Sequence, residues 1–337
     1  MKAFVVRRVI LSVFVLIGVT FVTFGMLQVI PGDAASLAAG RSANAEQIAA
    51  VRARLGLDQP LPIQYGVYLS NLVRGDLGTS VFTHRPILAD IADVLPASLE
   101  LVLAAMFINI CLAFPLGVIA AVREGGKIDA LARLVVMVSA GIPVFWLGLM
   151  LQLAFAARLQ VLPLSGQISF GADVGARLTG ILTVDTLLQG RWQALVDVLA
   201  HLALPAITLA ASFVAVIART TRSTMLGVLR EDYITLARAK GLSERRVVLR
   251  HALRNAMVPN ITILGMQLGW MMGSTVLVEG IFGRRGVGFY AVTAIIQKDL
   301  WAVVGVVLIV SIIFVAANLV VDLAYAWLNP RLRLAAS

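Results

Sequence analysis

The chain has 337 residues, of which 60% are hydrophobic and 14% charged, with a formal net charge of +10. A soluble domain carries about 25% charged residues, so this apolar surplus calls for a lipid solvent and excludes an ordinary water-soluble enzyme. The single cysteine, Cys111, excludes a disulfide framework, and His84, His201 and His251 are too dispersed for a metal site.

Six stretches reach the roughly 20 apolar residues that cross a bilayer: 9–30, 97–122, 134–157, 195–218, 255–282 and 302–328. The first is free of charge and ends at Pro31-Gly32-Asp33. It is longer than a signal-peptide core and predicts a retained helix over 1–30. Residues 31–96 then predict a small extracytoplasmic helical segment. Asn44 and Gln47 have capping-box spacing for a helix stopping at Gly56. Pro62 opens a second helix that stops near Gly75. Pro115, Pro143, Pro205 and Pro259 fall inside later spans, where neighbouring helices tolerate them. Asn109, mid-span, predicts an interhelical hydrogen bond. The outer segment 158–194 has glycines and no strong periodicity.

Six spans put both termini on one side. Placing them inside assigns 17 of the 28 Lys and Arg residues to inner segments, nine of them in 219–254. The short ends, with Lys2, Arg7, Arg8, Arg331 and Arg333, agree with the positive-inside rule. The basic charge is then a membrane-surface feature, and a nucleic-acid partner is not expected. Asp322 lies near the inner end of the last span and is expected to pair with an arginine of the long inner loop.

That loop contains "EDYITLARAKGLSERRVVLRHALRNAM" (231–257). Glu231-Asp232 start a helix. Tyr233, Leu236, Ala237 and Lys240 share one face at i, i+3, i+4 and i+7. Gly241 stops the helix, Ser243 caps the next, and Arg246, Arg250 and Arg254 form a basic stripe. Two readings stand: an anchor on anionic headgroups, or a docking knob for a partner protein.

Some polar and small residues sit within or beside the spans. Glu100, Asp197, His201 and Glu279 lie toward outer ends. They read either as rim residues that cap helices or pair with Arg158, Arg191 or Arg284, or together as an acidic vestibule on a solute path. Gly265, Gly269 and Gly273 form a small-residue stripe in the fifth span, read as helix packing or as bare backbone lining that path. No G-x-x-x-x-G-K-[ST] run occurs, so the sequence shows no nucleotide site of its own. An ion-coupled transporter would place ionisable groups near the midplane, and the middle thirds of the spans are nearly free of charge. An intramembrane hydrolase would need Ser139 and His201 to meet, and nothing in the sequence pairs them.

The stretch "EDYITLARAKGLSERRVVLRHALRNAMVP" resembles the cytoplasmic loop of permease subunits of binding-protein-dependent ABC importers, in the dipeptide/oligopeptide (and nickel) group. "LGLDQPLPIQYGVYLSNLVRGDLGTS" (55–80), "HLALPAITLA" (201–210) and "NLVVDLAYAWLNPRLR" (318–333) are similar to other segments of that family, in the same order. The resemblance places the family's loop motif on Thr235-Leu236-Ala237 with its glycine at Gly241. A threonine stands where the motif has glutamate, and Arg284-Arg285 stand where the family has a Trp-Pro pair. It implies an all-α polytopic membrane protein with six transmembrane helices and the type I importer permease fold. The permease domain would be 97–328, with coupling loop 219–254 and cytoplasmic tail 329–337. The implied partners are a homologous permease, two ATPase subunits that carry ATP and Mg, and an extracytoplasmic solute-binding protein, in a bacterial inner membrane. This chain would bind no cofactor. Asp232, Tyr233, Leu236, Ala237, Lys240, Gly241 and Leu242 would couple to the ATPase, and the fifth span would lie close to the path.

Overall fold

The computed structural model describes residues 2–29, 35 and 44–328. The stop at Pro31-Gly32-Asp33 and the tail 329–337 lie outside them. The described residues are helical and joined by loops, in agreement with an all-α membrane protein. Among the described residues, five helices are long and apolar enough to cross a bilayer, and a bent pair of helices makes six if the two halves count as one span.

Two long helices form the centre. α4 (Ile87–Val122) has 36 residues and α8 (Trp192–Leu229) has 38. At 1.5 Å per residue each exceeds the roughly 30 Å hydrocarbon thickness, so both project beyond the membrane. The helices outrun the apolar stretches 97–122 and 195–218: α4 begins ten residues before 97, and α8 continues eleven residues past 218. Pro96 and Pro115 in α4 and Pro205 in α8 leave these helices unbroken. The two cross closely where Gly117 meets Thr221, whose Cβ would lie 2.6 Å from any Cβ added at 117.

Leu101, Val102, Ala105 and Met106 of α4 interlock with Leu202, Leu204, Leu209 and Ala210 of α8. Met271, Met272, Val278 and Phe282 of α11 (Leu253–Phe282) complete this core. Lipid tails are as apolar as these side chains, so close packing and hydrogen bonds hold the helices together here, not hydrophobicity. One polar ladder crosses the packed centre, as Asn109 predicts. Its amide donates to Gln267 Oε1 at 3.1 Å, and Gln267 Nε2 donates to the Phe213 carbonyl at 3.1 Å.

The third span departs from expectation. It divides into α5 (Lys127–Gly141) and α6 (Val144–Leu151), the latter continuing through a π-helical turn, Gln152–Arg158, with a bend of 102° between the halves. Proline pushes its preceding residue out of the helical region, and Ile142 is extended at φ −84°, ψ 123°. Gly141 ahead of it removes a side chain that would favour continuing the helix.

α1 (Lys2–Val29) lies at the periphery with Phe14, Phe21 and Val22 exposed. Next in the chain come α2 (Ala45–Leu55) and α3 (Leu61–Val73). The Asn44–Gln47 capping box forms, and Gly56 and Gly75 have the positive φ their stop positions require. Thr20 and Thr23 of α1 hydrogen-bond the Tyr65 and Tyr68 hydroxyls of α3 at 2.9 and 3.1 Å. A short α7 (Leu182–Leu188) lies in the outer segment read as irregular.

α13 (Leu300–Leu328) packs between α1 and α11. Asp322 pairs with Arg8 of α1 at 3.1 Å, not with an arginine of the inner loop, because α1 and α13 lie side by side. A Cβ added at Gly265 would overlap the Val321 side chain, and one at Gly269 would overlap the Phe314 ring. Overpacking of this kind costs about 1–3 kcal/mol. Gly269→Val is accordingly expected to reduce the monodisperse protein extracted from membranes, while Gly273→Val, with open space around it, leaves the yield unchanged. Size-exclusion profiles of tagged variants check this.

Candidate functional site

The loop read as 219–254 is largely helical. α9 (Asp232–Ala239) starts after Glu231, whose carbonyl accepts from Ile234 N at 3.0 Å. It ends in a Schellman motif: Gly241 N donates to the Arg238 carbonyl at 2.9 Å and Leu242 N to the Ala237 carbonyl at 3.4 Å. Gly241 has φ +76°, with nothing within 4 Å of an added Cβ, so backbone conformation alone demands glycine there. Ser243 occupies the next N-cap position through its backbone carbonyl, without the expected side-chain cap. α10 (Glu244–Arg246) then runs through a π-helical turn, Val247–Ala252, into α11 without a stop. Arg246, Arg250 and Arg254 are exposed.

One expected docking residue faces the wrong way. Ala237 is buried with Ile234 against Met225 of α8, Ala121 of α4 and Val247, Val248 and Ala252 of the following turn. Positions 234 and 237 share the inward side, so Ala237 anchors the helix to its own chain. Tyr233 and Leu236 remain 41% and 56% exposed, and Asp232, Thr235 and Lys240 are exposed beside them. The Tyr233 hydroxyl accepts from Asn255 Nδ2 at 2.7 Å. Arg238 holds Glu244 through both oxygens, at 3.1 and 2.7 Å, and keeps its carboxyl below the usual carboxylate range. The result is a helix seated on its own chain with Tyr233 and Leu236 left exposed.

At the end of the bundle away from α9, the carboxylates are committed to the chain itself. Glu100 is 3% exposed; it accepts from Thr183 N at 2.7 Å and pairs with Arg284 at 2.7 Å. Arg284 is fully buried, with Nε and Nη1 unpartnered. Glu279 is fully buried, accepting from Ser98 Oγ at 2.5 Å and Phe289 N at 3.0 Å. Asp197 accepts from the Ser169 amide and hydroxyl, both at 2.7 Å. His201 is buried, with Nδ1 2.8 Å from the Asp197 carbonyl oxygen. The expected pairing with Arg284 holds for Glu100, but Glu100, Glu279 and His201 are all buried and none of them is a solvent-exposed rim residue. Long helices carry these positions under the outer loops, where a buried charge requires partners. Glu100 does reach the wall of an outer cleft of about 320 Å³ together with Arg85, Asp93, Arg177 and Arg285. Ser139 bonds the Val136 carbonyl of its own helix, far in sequence from His201.

Sequence reasoning named Arg284 as one possible partner of these carboxylates, and missed Gln267. The signal for Gln267 was its place mid-span, like Asn109. Missed too was α12 (Val287–Ile296), which folds back onto α11. Gly286 and Gly288 permit that approach, since a Cβ at either would run into Glu279 or the Val276 backbone. On α11 itself, Met266, Trp270 and Leu277 are exposed at 48%, 64% and 56%, on a stripe that includes Gly273. The glycine row is therefore divided: Gly265 and Gly269 pack on α13, and Gly273 borders the open face.

These features define a polytopic helical membrane protein with a short helix, α9, seated on its own chain between two spans. Residues 1–102 match the N-terminal region model of binding-protein-dependent transport system membrane components, and residues 113–334 match the inner membrane component model itself. The chain belongs to this family of binding-protein-dependent transport system inner membrane components and is an ABC importer permease subunit, not itself a catalyst. It is 42% identical over 320 residues to a probable D,D-dipeptide transport system permease protein of Escherichia coli K12, covering 95% of this chain and 94% of the relative. It is 39% identical to a dipeptide transport system permease of Alkalihalophilus pseudofirmus, covering 99% and 100%. A glutathione transport system permease of Salmonella typhimurium is 36% identical, with 99% of both chains covered. An inward-facing structure of the MetNI methionine ABC transporter superposes with a TM-score of 0.53 at 15% identity, over 69% of this chain and 93% of that one. That likeness speaks for the fold alone. The ion-coupled transporter reading is left without support.

Proposed function

We propose that this chain forms one half of the translocation path of an importer for dipeptides or closely related small peptides. Its partner half is a homologous permease, two ATPase subunits hydrolyse ATP with Mg, and an extracytoplasmic binding protein delivers the solute. The complex sits in a bacterial inner membrane with both termini of this chain cytoplasmic. The solute class rests on the dipeptide, D,D-dipeptide and glutathione transport systems named for the relatives. Coupling rests on a single observation: the inward stripe of α9 is buried in its own chain, while Tyr233 and Leu236 stand exposed on the adjacent stripe. The basic excess of the inner segments supports the orientation.

Cysteine crosslinking in the assembled complex tests the coupling face. Cysteine at 233 or 236 is expected to crosslink efficiently to an ATPase subunit. Cysteine at 237 or 250 is expected to do so poorly, the first because it is buried and the second because it lies in the basic stripe. Strong crosslinking from 237 or 250, with none from 236, would reverse the assignment. Uptake of a labelled dipeptide by the reconstituted complex, competed with glutathione and with longer peptides, tests the solute class separately.

A further inference from the structure

At the coupling-loop end of the bundle, α5 and α8 part around an open cleft of about 650 Å³. Arg133 and Met137 line it from α5, and Arg219, Arg222, Ser223 and Arg230 from α8. The α8 positions recur every three or four residues, so they share one helix face. Two acids answer the four arginines. Asp129, 1% exposed, takes Arg222 at 2.8 and 2.9 Å and Arg133 at 3.4 Å. Glu124 takes Arg230 at 3.1 Å. Arg219 has no acidic partner among the described residues; its Nε donates to the Ala215 carbonyl of its own helix at 3.3 Å. The cleft therefore retains positive charge that the chain does not neutralise.

The neighbouring surface is apolar. Leu134, Met137 and Val138 on α5 are 51%, 68% and 48% exposed. α5 packs on α4 and α8 and stands at the margin of the bundle. A cationic floor at the polar end of a span, continuous with an apolar wall, fits a molecule with an anionic head and a hydrocarbon tail. Soluble phosphate would satisfy the arginines and leave the wall bare. A zwitterionic lipid would bring its own ammonium toward them. We infer that this cleft binds an anionic phospholipid, its phosphodiester held by Arg219 between Arg133 and Arg230 and one acyl chain lying along Leu134 and Met137. The bound lipid would brace the end of α8 that leads directly into α9.

Photolabelling decides the matter. The assembled transporter is placed in phosphatidylcholine nanodiscs containing a trace of phosphatidylglycerol or phosphatidylcholine, each with the same photoactivatable acyl chain, and crosslinked peptides are mapped by mass spectrometry. Phosphatidylglycerol is expected to label residues 133–140 and 219–230 several-fold more than phosphatidylcholine. Arg219→Gln should lower that labelling about five-fold, the effect of one arginine at an anionic surface, and Arg219→Lys should preserve it. Because Arg219 is exposed and holds no ion pair among the described residues, both variants should elute like the unaltered complex. Equal labelling by the two lipids overturns the inference. So does loss of labelling on adding excess glycerol phosphate, which marks a site for free phosphate, or an absence of lipid crosslinks because another subunit covers the cleft. None of these readouts depends on which solute is carried or on how the ATPase docks.

Discussion

Arg284→Met is expected to be the most destabilising single change at the outer end of the molecule. The substitution leaves the Glu100 carboxylate buried at 3% exposure without its cation. Breaking a buried ion pair from one side costs about 3–5 kcal/mol, a large share of the 5–15 kcal/mol that holds a typical fold together. Replacing both partners removes the stranded charge, so Arg284→Met combined with Glu100→Gln should recover most of the loss. Thermal unfolding of the purified protein in detergent, followed by tryptophan fluorescence, measures both. A single variant as stable as the unaltered protein would mean that Glu100 is hydrated in the working complex. The same pair carries a functional expectation. Thr183 N also binds Glu100, so breaking the pair should loosen α7 from α4 and lower uptake beyond the drop in protein level.

Leu236→Asp is expected to abolish transport without harming the fold. Leu236 is 56% exposed and contributes little to the chain's own packing. In the assembled importer its burial is worth about 1.5–3 kcal/mol, and an unpaired carboxylate in its place adds a desolvation penalty. Together these exceed the 1.4 kcal/mol that corresponds to a ten-fold loss, so ATPase association and solute uptake should fall by well over ten-fold at normal membrane abundance. Ile234→Asp makes the contrast. Ile234 is fully buried, so that variant should lose the protein itself. Gly241→Ala probes the same unit more gently: a left-handed residue with a β-carbon costs about 1–2 kcal/mol, and the open space around Gly241 adds no clash. Its uptake should drop several-fold while membrane insertion is kept. Unchanged uptake in Leu236→Asp would remove α9 from the coupling role.

The local features written in short sequence windows were legible in advance. Apolar runs gave the spans, since bilayer thickness sets their length. The Asn44–Gln47 box, the Gly56 and Gly75 stops and the Gly241 cap depend on bonds between residues within one turn, so their spacing reveals them. Asn109 was readable as an interhelical donor because a polar group in hydrocarbon must find a partner. Tertiary structure decided which partner each group found. Asp322 met Arg8, Arg284 turned inward to Glu100, and two of three glycines met α13, because distant segments converge there. Proline shows the division most sharply. Pro115, Pro205 and Pro259 sit in helices that the bundle centre supports on several sides, and those helices continue. Pro143, beside Gly141 at the bundle margin, lies at a 102° bend instead. Side-chain facing on α9 was likewise ambiguous from period alone, since 233, 236 and 240 and 234 and 237 make two adjacent stripes. Burial against α8 chose between them, because only one side of a short helix can rest on its own chain while the other stays open to a partner.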